Sequence, residues 1–185
     1  MTEQTALIII DMQKGMLSST LPPRNNPQAE DNIARLHAAW RESGQPVVSV
    51  RHISRSPSSV FAPGQSGVEF QERFLPLAHE HVVEKNVPDA FINTGLERWL
   101  HARGIRHLVI VGVSTNNSVE ASARTAGNLG FATTVVSDAT FTFDKQDFAG
   151  TWRSAEDVHL MALANLHGEY AEVRTTEEVL GELQG

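Results

Sequence analysis

The sequence has no cysteine among its 185 residues. Disulfide bonds, thiolate metal sites and thiol nucleophiles are therefore excluded. Cationic residues are also few. Fifteen lysines and arginines stand against 22 aspartates and glutamates, which gives a formal net charge of −7, and no basic run is present. This balance argues against nucleic acid as a partner.

Long apolar runs and the common cofactor motifs are missing as well. The longest apolar run, ALIII at residues 6–10, is far too short to span a bilayer. The N-terminal segment MTEQTALIII lacks the basic region of a signal peptide. We therefore expect no membrane partner and a cytoplasmic location. Neither GxGxxG nor a P-loop occurs, and the eight histidines show no convincing set of metal ligands. The sequence thus predicts no cofactor and no metal.

The sequence does contain a regular alternation of short apolar segments with longer amphipathic ones. Such strand–helix alternation indicates βαβ units. We predict an α/β fold with a doubly wound, mostly parallel six-stranded sheet covered by helices on both faces, as in Rossmann-like three-layer folds. The whole chain, 1–185, is expected to form a single domain. The predicted strands are 5–11, 45–52, 81–85, 107–113, 131–139 and 170–175, and the predicted helices are 26–44, 94–104, 117–130, 154–168 and 175–183.

Several residue pairs predict where helices begin. Asn26 is placed to cap the first helix. Thr94 with Glu97, and Thr175 with Glu178, have the spacing of a capping box, in which the threonine and the acidic side chain each bond the other's backbone N–H.

Three polar residues follow buried strands and are candidates for chemistry. Asp11 comes directly after LIII, Lys85 after HVVE, and Ser118 shortly after HLVIVGV. An aspartate in a turn, a solvated lysine or a capping serine is unremarkable alone. The carboxyl ends of parallel strands, however, share one edge of a sheet, where ligands bind. We therefore expect these three side chains to meet in one crevice.

Longer stretches of the sequence resemble a known family. LIIIDMQ, VVEKNVPDAFINTGLERWL and VIVGVSTNNSVEASARTAGNLGFATTVVSDA, in this order and at fitting spacing, are similar to the isochorismatase-like hydrolase superfamily, also called the cysteine hydrolases. RHISRSPSSVFAPGQSGVEF and SAEDVHLMALANLHGEYAEV resemble its small single-domain branch. The resemblance runs nearly end to end and implies a parallel sheet of about six strands flanked by helices.

The resemblance also implies roles for individual residues. Asp11, Lys85 and Ser118 match the catalytic aspartate, lysine and cysteine. A cis peptide is implied at Val113–Ser114, with backbone N–H groups of Ser114 and Ser118 aimed at an oxyanion. Serine thus replaces the usual cysteine, and its hydroxyl needs a general base. Beside Lys85, the pKa of Asp11 is expected to be depressed, which would make it a weak base.

The remaining expectations concern the pocket and the assembly. The substrate-lining candidates are Gln13, His52, Phe61, Phe91 and Asn117, and Phe61 and Phe91 fit a core position equally well. Asp89, in NVPDAF, is expected to add a charge near the pocket. VRHISRS does not supply the D-x-H-x-x-H metal motif of the nicotinamidase branch, which argues against nicotinamide as substrate. Members of the family are usually dimers or larger, so a homodimer or higher homo-oligomer is expected.

Three functional hypotheses remain open at this level. The first is hydrolysis of a small amide or related C–N bond, with Ser118 as a weakened nucleophile or as a residue that positions water. The second is isochorismatase-type vinyl-ether hydrolysis, in which Asp11 is the acid and no covalent nucleophile is needed. The third is a non-catalytic homologue that binds a small molecule. The sequence is equally compatible with a native serine at 118 and with one introduced by design.

Overall fold

The computed structural model describes residues 4–183. Its centre is a six-stranded sheet in which all neighbouring strands pair in parallel. The strands of this sheet are β1 (Thr5–Ile10), β2 (Val47–His52), β3 (His81–Lys85), β4 (His107–Val113), β5 (Ala132–Phe141) and, last along the chain, β8 (Glu172–Arg174). Their spatial order is β3-β2-β1-β4-β5-β8. The predicted α/β fold with a six-stranded parallel sheet is confirmed.

Within residues 4–183, four α-helices connect strands of the sheet, a fifth follows β8, and a small hairpin lies apart from the sheet. The hairpin pairs β6 (Lys145–Gln146) with β7 (Trp152–Arg153) in antiparallel fashion between β5 and the fourth helix, a feature that was not predicted. No helix within residues 4–183 is long and apolar enough to cross a membrane. The helices are α1 (Ala29–Glu42), α2 (Leu96–Ala102), α3 (Glu120–Asn128), α4 (Ala155–Leu166) and α5 (Thr176–Leu183).

Both faces of the sheet are covered, and β1 shows why its sequence is apolar throughout. Ala6, Ile8 and Ile10 pack in one core cluster, while Leu7 and Ile9 pack in the other. Successive side chains of a strand point to opposite faces, so a strand buried on both faces needs an apolar residue at every position. One cluster receives α2, α3 and α4, and the other receives α1 and α5.

The helix starts agree with the sequence in one case and differ in two. Thr175 and Glu178 exchange the reciprocal bonds of a capping box, as predicted. The box predicted for Thr94 and Glu97 is wrong, because the Thr94 hydroxyl accepts the N–H of Leu96 and donates to the carbonyl of Ala90, and α2 begins after Gly95. The Asn26 cap is wrong too. Asn26 adopts φ 45° and its amide donates to the carbonyls of Ser137 and Thr140, so α1 begins three residues later.

Candidate active site

Asp11, Lys85 and Ser118 meet at the carboxyl edge of the sheet. Asp11 directly follows β1, Lys85 is the last residue of β3, and Ser118 lies in a π-helical turn, Thr115–Val119, that follows β4. Lys85 Nζ lies 2.8 Å from Asp11 Oδ2 and 3.3 Å from Ser118 Oγ. The three residues are only 1–6% exposed. The lysine thus joins the carboxylate and the hydroxyl in a site nearly closed to water.

The environment of Asp11 favours the protonated acid more than the sequence suggested. Burial raises the pKa of the Asp11 carboxyl, and the nearby charge of Lys85 offsets only part of this effect. The depressed pKa expected for Asp11 is therefore wrong, because the desolvation of the ionised carboxylate costs more free energy than its attraction to one lysine offsets. Within the described residues, Asp11 Oδ1 is buried without a hydrogen-bond partner. That oxygen remains available to exchange a proton with a bound molecule.

A close approach between two strands shapes the turn that holds Ser118. Gly112, next to last in β4, has φ 117°, and a side chain there would lie about 2.1 Å from the carbonyl oxygen of Ile10. Only glycine fits such a backbone and such a contact. One residue further along, the Val113–Ser114 peptide bond is cis, at the position that the resemblance implies. The carbonyl of Ser114 then accepts bonds from the N–H groups of Asn117 and Val119, which begins the π-helical turn.

A buried histidine supports this turn from behind, and sequence reasoning missed it. His159 of α4 is 3% exposed, and its Nδ1 lies 2.8 Å from Thr115 Oγ1. Its Nε2 is 3.5 Å from the amide nitrogen of Asn26. Burial lowers the pKa of His159 and keeps the ring neutral near pH 7. The sequence offered no signal for this contact, because Thr115 and His159 are 44 residues apart.

One predicted lining residue, His52, lies beside Lys85 on the neighbouring strand, and a second, Phe61, contacts His52. The charges of Asp11 and Lys85 both act on His52, and burial together with Lys85 lowers the pKa of this histidine. The ring of Phe61 meets that of His52 edge to face, with centroids 6.3 Å apart. Both side chains are half-buried. The long loop after β2 therefore brings an aromatic ring against His52, at the carboxyl edge of the sheet.

The other lining candidates have different surroundings. Gln13 is fully buried, and its amide is occupied by the backbone of His52 and the carbonyl of Val68. Phe91 packs in the core against Phe131. Asn117 is exposed. Gln13 therefore joins the end of β2 to the loop that follows it, Phe91 belongs to the core, and Asn117 lies at the surface.

Asp89, which was expected to add a charge near the pocket, stabilises a turn instead. One carboxylate oxygen accepts the N–H of Phe91, and the other accepts the hydroxyl of Thr125 on α3. Its acceptors are thereby used within the protein. The expected effect of Asp89 on what fits the pocket has no support in these contacts.

The arrangement can move one proton and stabilise one anion. Asp11 Oδ1 is a proton acceptor or donor, Lys85 supplies a fixed positive charge, and Ser118 Oγ is a nucleophile or a hydrogen-bonding group. Backbone N–H groups at the start of a helix stabilise a developing oxyanion. Within residues 4–183 no three histidine, aspartate or glutamate side chains converge as metal ligands.

Comparison with known proteins gives consistent matches over the whole described fold. Residues 5–178 match the isochorismatase domain. The chain is 38% identical to the isochorismatase family protein YrdC of Bacillus subtilis, over 98% of this chain and 97% of that protein. It is 30% identical to Nicotinamidase 3 of Arabidopsis thaliana, over 76% of this chain and 75% of that protein. Among solved structures, a hydrolase of the isochorismatase family from Chromobacterium violaceum is 47% identical with a TM-score of 0.94, over 98% of this chain and 94% of that one.

Proposed function

The chain belongs to the isochorismatase family of hydrolases, and we propose that it hydrolyses an amide or related carbon–nitrogen bond of a small molecule. One observation carries this proposal: Lys85 Nζ bonds both Asp11 Oδ2 and Ser118 Oγ in a buried site. The nicotinamidase among the relatives supports an amide as the substrate class. The missing D-x-H-x-x-H motif favours an amide other than nicotinamide.

In the proposed reaction, Asp11 is the general base and Ser118 the nucleophile. Ser118 Oγ attacks the carbonyl carbon, its proton passes to Asp11 Oδ1, and the carbonyl oxygen becomes an oxyanion held by the N–H groups of Ser114 and Ser118. The C–N bond breaks as Asp11 returns the proton to the leaving nitrogen, and water then hydrolyses the acyl-serine ester. The raised pKa of Asp11 makes it a stronger base than an ordinary aspartate.

Isochorismatase-type hydrolysis of a vinyl ether is the second candidate, and the same raised pKa supports it. A carboxyl with a raised pKa stays protonated up to a higher pH and can therefore act as an acid there. Asp11 would protonate a carbon of the double bond, and water would add to the resulting oxocarbenium ion and return a proton to Asp11. The hemiketal so formed would then break its ether C–O bond to give a carbonyl compound and an alcohol. Ser118 has no covalent role in this reaction. A homologue that binds a small molecule without catalysis is the outcome if neither reaction is found.

The substitution Ser118→Cys tests the amide proposal directly, because it creates the only thiol in the chain. We expect hydrolysis of at least one member of a panel of small amides and ureas to increase about 100-fold or more, since a thiolate is formed far more readily than an alkoxide. Alkylation with iodoacetamide as a function of pH measures the acidity of the new thiol. Beside Lys85, its pKa is expected below the ordinary value of about 8.5.

Ser58→Cys is the matched control, because Ser58 lies exposed in the long loop. Its thiol is expected to be alkylated with an ordinary pH dependence and to leave hydrolysis unchanged. An Asp11→Asn variant that loses vinyl-ether hydrolysis while Ser118→Ala retains it would replace the amide proposal with the acid mechanism. No turnover and no binding by any variant would support the non-catalytic hypothesis.

The homo-oligomer also remains a proposal, and an exposed apolar patch supports it. The patch comprises Phe148, Trp152, Leu160 and Met161, which lie on the hairpin and on α4 and are 55–106% exposed. Aromatic and methionine side chains are enriched at protein interfaces. A neighbouring cavity of about 400 Å3 carries both signs of charge, among them Lys145 and Asp157. Such mixed charge allows a cation of one copy to pair with a carboxylate of the other.

Sedimentation velocity tests this assembly. Phe148→Ser is expected to shift the protein toward the monomer, whereas Leu17→Ser, at an exposed apolar residue elsewhere, leaves the mass unchanged. A monomeric wild-type protein would refute the proposal.

A further inference from the structure

A second groove lies at the amino edge of the sheet, away from the catalytic residues. Its volume is about 470 Å3, and it is formed by the starts of β2 and β3 and the ends of α1 and α2. His81 opens β3 at this edge, while Lys85 closes it at the other. The two residues are four positions apart along the strand, which corresponds to roughly 13 Å. The groove is therefore distinct from the site of Asp11 and Ser118.

The charges lining this groove do not cancel. Arg41 is occupied by Glu80, with both donor–acceptor distances below 3.0 Å, so these two residues form a neutral unit. Within residues 4–183, Arg103 has no carboxylate at ion-pair distance. Its guanidinium donates one long hydrogen bond, 3.4 Å, to the carbonyl of Trp99. The groove thus retains one positive charge and several free N–H donors, although the chain as a whole carries −7.

Ring stacking holds this free guanidinium in place. The ring of Trp99 stacks on His81 with centroids 4.4 Å apart and planes 6° apart. The guanidinium of Arg103 lies 4.2 Å from the Trp99 ring. A guanidinium oriented by an aromatic ring is preorganised to bind a planar anion through two parallel hydrogen bonds. His81, whose pKa is lowered by burial, is neutral near pH 7 and so remains able to donate or accept one hydrogen bond.

Apolar surface lies next to the charge. Leu77 is 45% exposed and lines the same groove, together with Pro46 and Val47. The volume falls within the usual range for small-molecule sites, about 300–1,000 Å3. A ligand that satisfies this lining needs one anionic head and a compact apolar body.

We propose that this groove is a second binding site, specific for a small organic monoanion in which a carboxylate is joined to a compact apolar group. The carboxylate pairs with Arg103 in a bidentate manner, and the apolar group covers Leu77 and Pro46. A single unpaired guanidinium matches a single negative charge. A dianion such as a phosphate monoester would keep one uncompensated charge here, because the other arginine of the groove, Arg41, is already paired with Glu80.

Benzoate is the probe that tests this proposal, with the full chain labelled for NMR. We expect saturable shifts for residues 77–81 and 99–103. Arg103→Met keeps the side-chain stem over Trp99 but removes the charge, and it should weaken benzoate binding about tenfold or more. Arg103→Lys should weaken it less, because it keeps the charge and loses only the two-pronged geometry. Arg98→Met, at an exposed arginine of the same helix, should leave binding unchanged.

Two analogues of benzoate test the ligand class. Benzamide, which is planar but neutral, and phenyl phosphate, which is a dianion near pH 7, should both bind more weakly than benzoate. Equal or tighter binding of either would overturn the assignment of a monoanion. Shifts confined to the surroundings of Ser118, an unaltered affinity in Arg103→Met, or no saturation at tens of millimolar would overturn the site itself. None of these results depends on the proposed hydrolysis.

Discussion

At the carboxyl end of the sheet, Asp11 and Lys85 are 1–2% exposed and bonded to each other. At the amino end, Arg103 is exposed and lies over an aromatic ring without a carboxylate partner among the described residues. The buried pair has been taken out of water, and each charge depends on the other. The exposed guanidinium keeps its hydration and is free to accept a ligand. Loss of a charge should therefore destabilise the fold strongly at one end and only weakly at the other.

The largest expected effect comes from Lys85→Met, which leaves Asp11 buried without its counter-charge. We expect the free energy of unfolding at pH 7 to fall by about 3–5 kcal/mol, as measured by urea denaturation. Arg103→Met, at the opposite end, should change it by less than about 0.5 kcal/mol.

The double variant Asp11→Asn/Lys85→Met controls for the lost packing of the lysine stem. Asparagine suits this position because Asp11 has φ 55°, in the left-handed region that asparagine tolerates. The double variant should be more stable than Lys85→Met alone. If Lys85→Met proves as stable as the wild type, the contrast between the two ends of the sheet is wrong.

A somewhat smaller effect is expected for Gln13→Leu. The Gln13 amide holds both backbone groups of His52 and the carbonyl of Val68. Leucine satisfies none of them, so unfolding should become easier by about 2–4 kcal/mol. Gln65→Leu, at an exposed glutamine of the long loop after β2, should lower the free energy of unfolding by less than about 0.5 kcal/mol. Equal losses for the two variants would mean that the hydrogen bonds of Gln13 to His52 and Val68 do not stabilise the carboxyl edge of the sheet.

The smallest of the three effects depends on pH and lies near the amino-end groove. Burial lowers the pKa of His37 to about 4, whereas an unfolded histidine titrates near 6.5. Between these values the unfolded chain binds more protons, so stability falls as the pH falls from about 6.5 to about 4. The wild type should lose about 2–3 kcal/mol more than His37→Gln over this window.

Urea denaturation at several pH values measures that difference. His167→Gln, at a histidine whose side chain is 56% exposed, should retain the wild-type pH dependence. Parallel curves for wild type and His37→Gln would show that His37 does not cause the loss.

The agreement between sequence and structure follows the range of the interactions involved. The capping box of Thr175 and Glu178 was predicted correctly because its two members are three residues apart and solvent-exposed. Thr94 and Glu97 have the same spacing, yet the Thr94 hydroxyl accepts the N–H of Leu96 and donates to Ala90, which the local pattern does not show. Asn26 likewise bonds carbonyls more than 100 residues away. Short polar side chains bond whichever backbone group the fold brings near.

The candidate site shows the same division. Asp11, Lys85 and Ser118 were selected because each follows an apolar strand, and parallel strands end at one edge. The direction of the Asp11 pKa shift was missed, since the effect of burial outweighs that of the neighbouring Lys85 charge. Gln13 and Phe91 lie at positions along the chain that suit pocket-lining residues. The side chain of Gln13, however, bonds the backbone of a loop, and that of Phe91 packs in the core. Their roles as lining residues have no support in the structure.

The sequence by itself determined the α/β class, the parallel sheet and the edge at which polar groups gather, because apolar periodicity and strand–helix alternation are local properties of the chain. Only the tertiary structure decided which polar groups are buried, which are paired and which stay free. It decided the environment of Asp11, the support of Thr115 by His159, and the unpaired Arg103 stacked on Trp99. Desolvation and long-range contacts set these properties, and both exist only once distant segments have packed together.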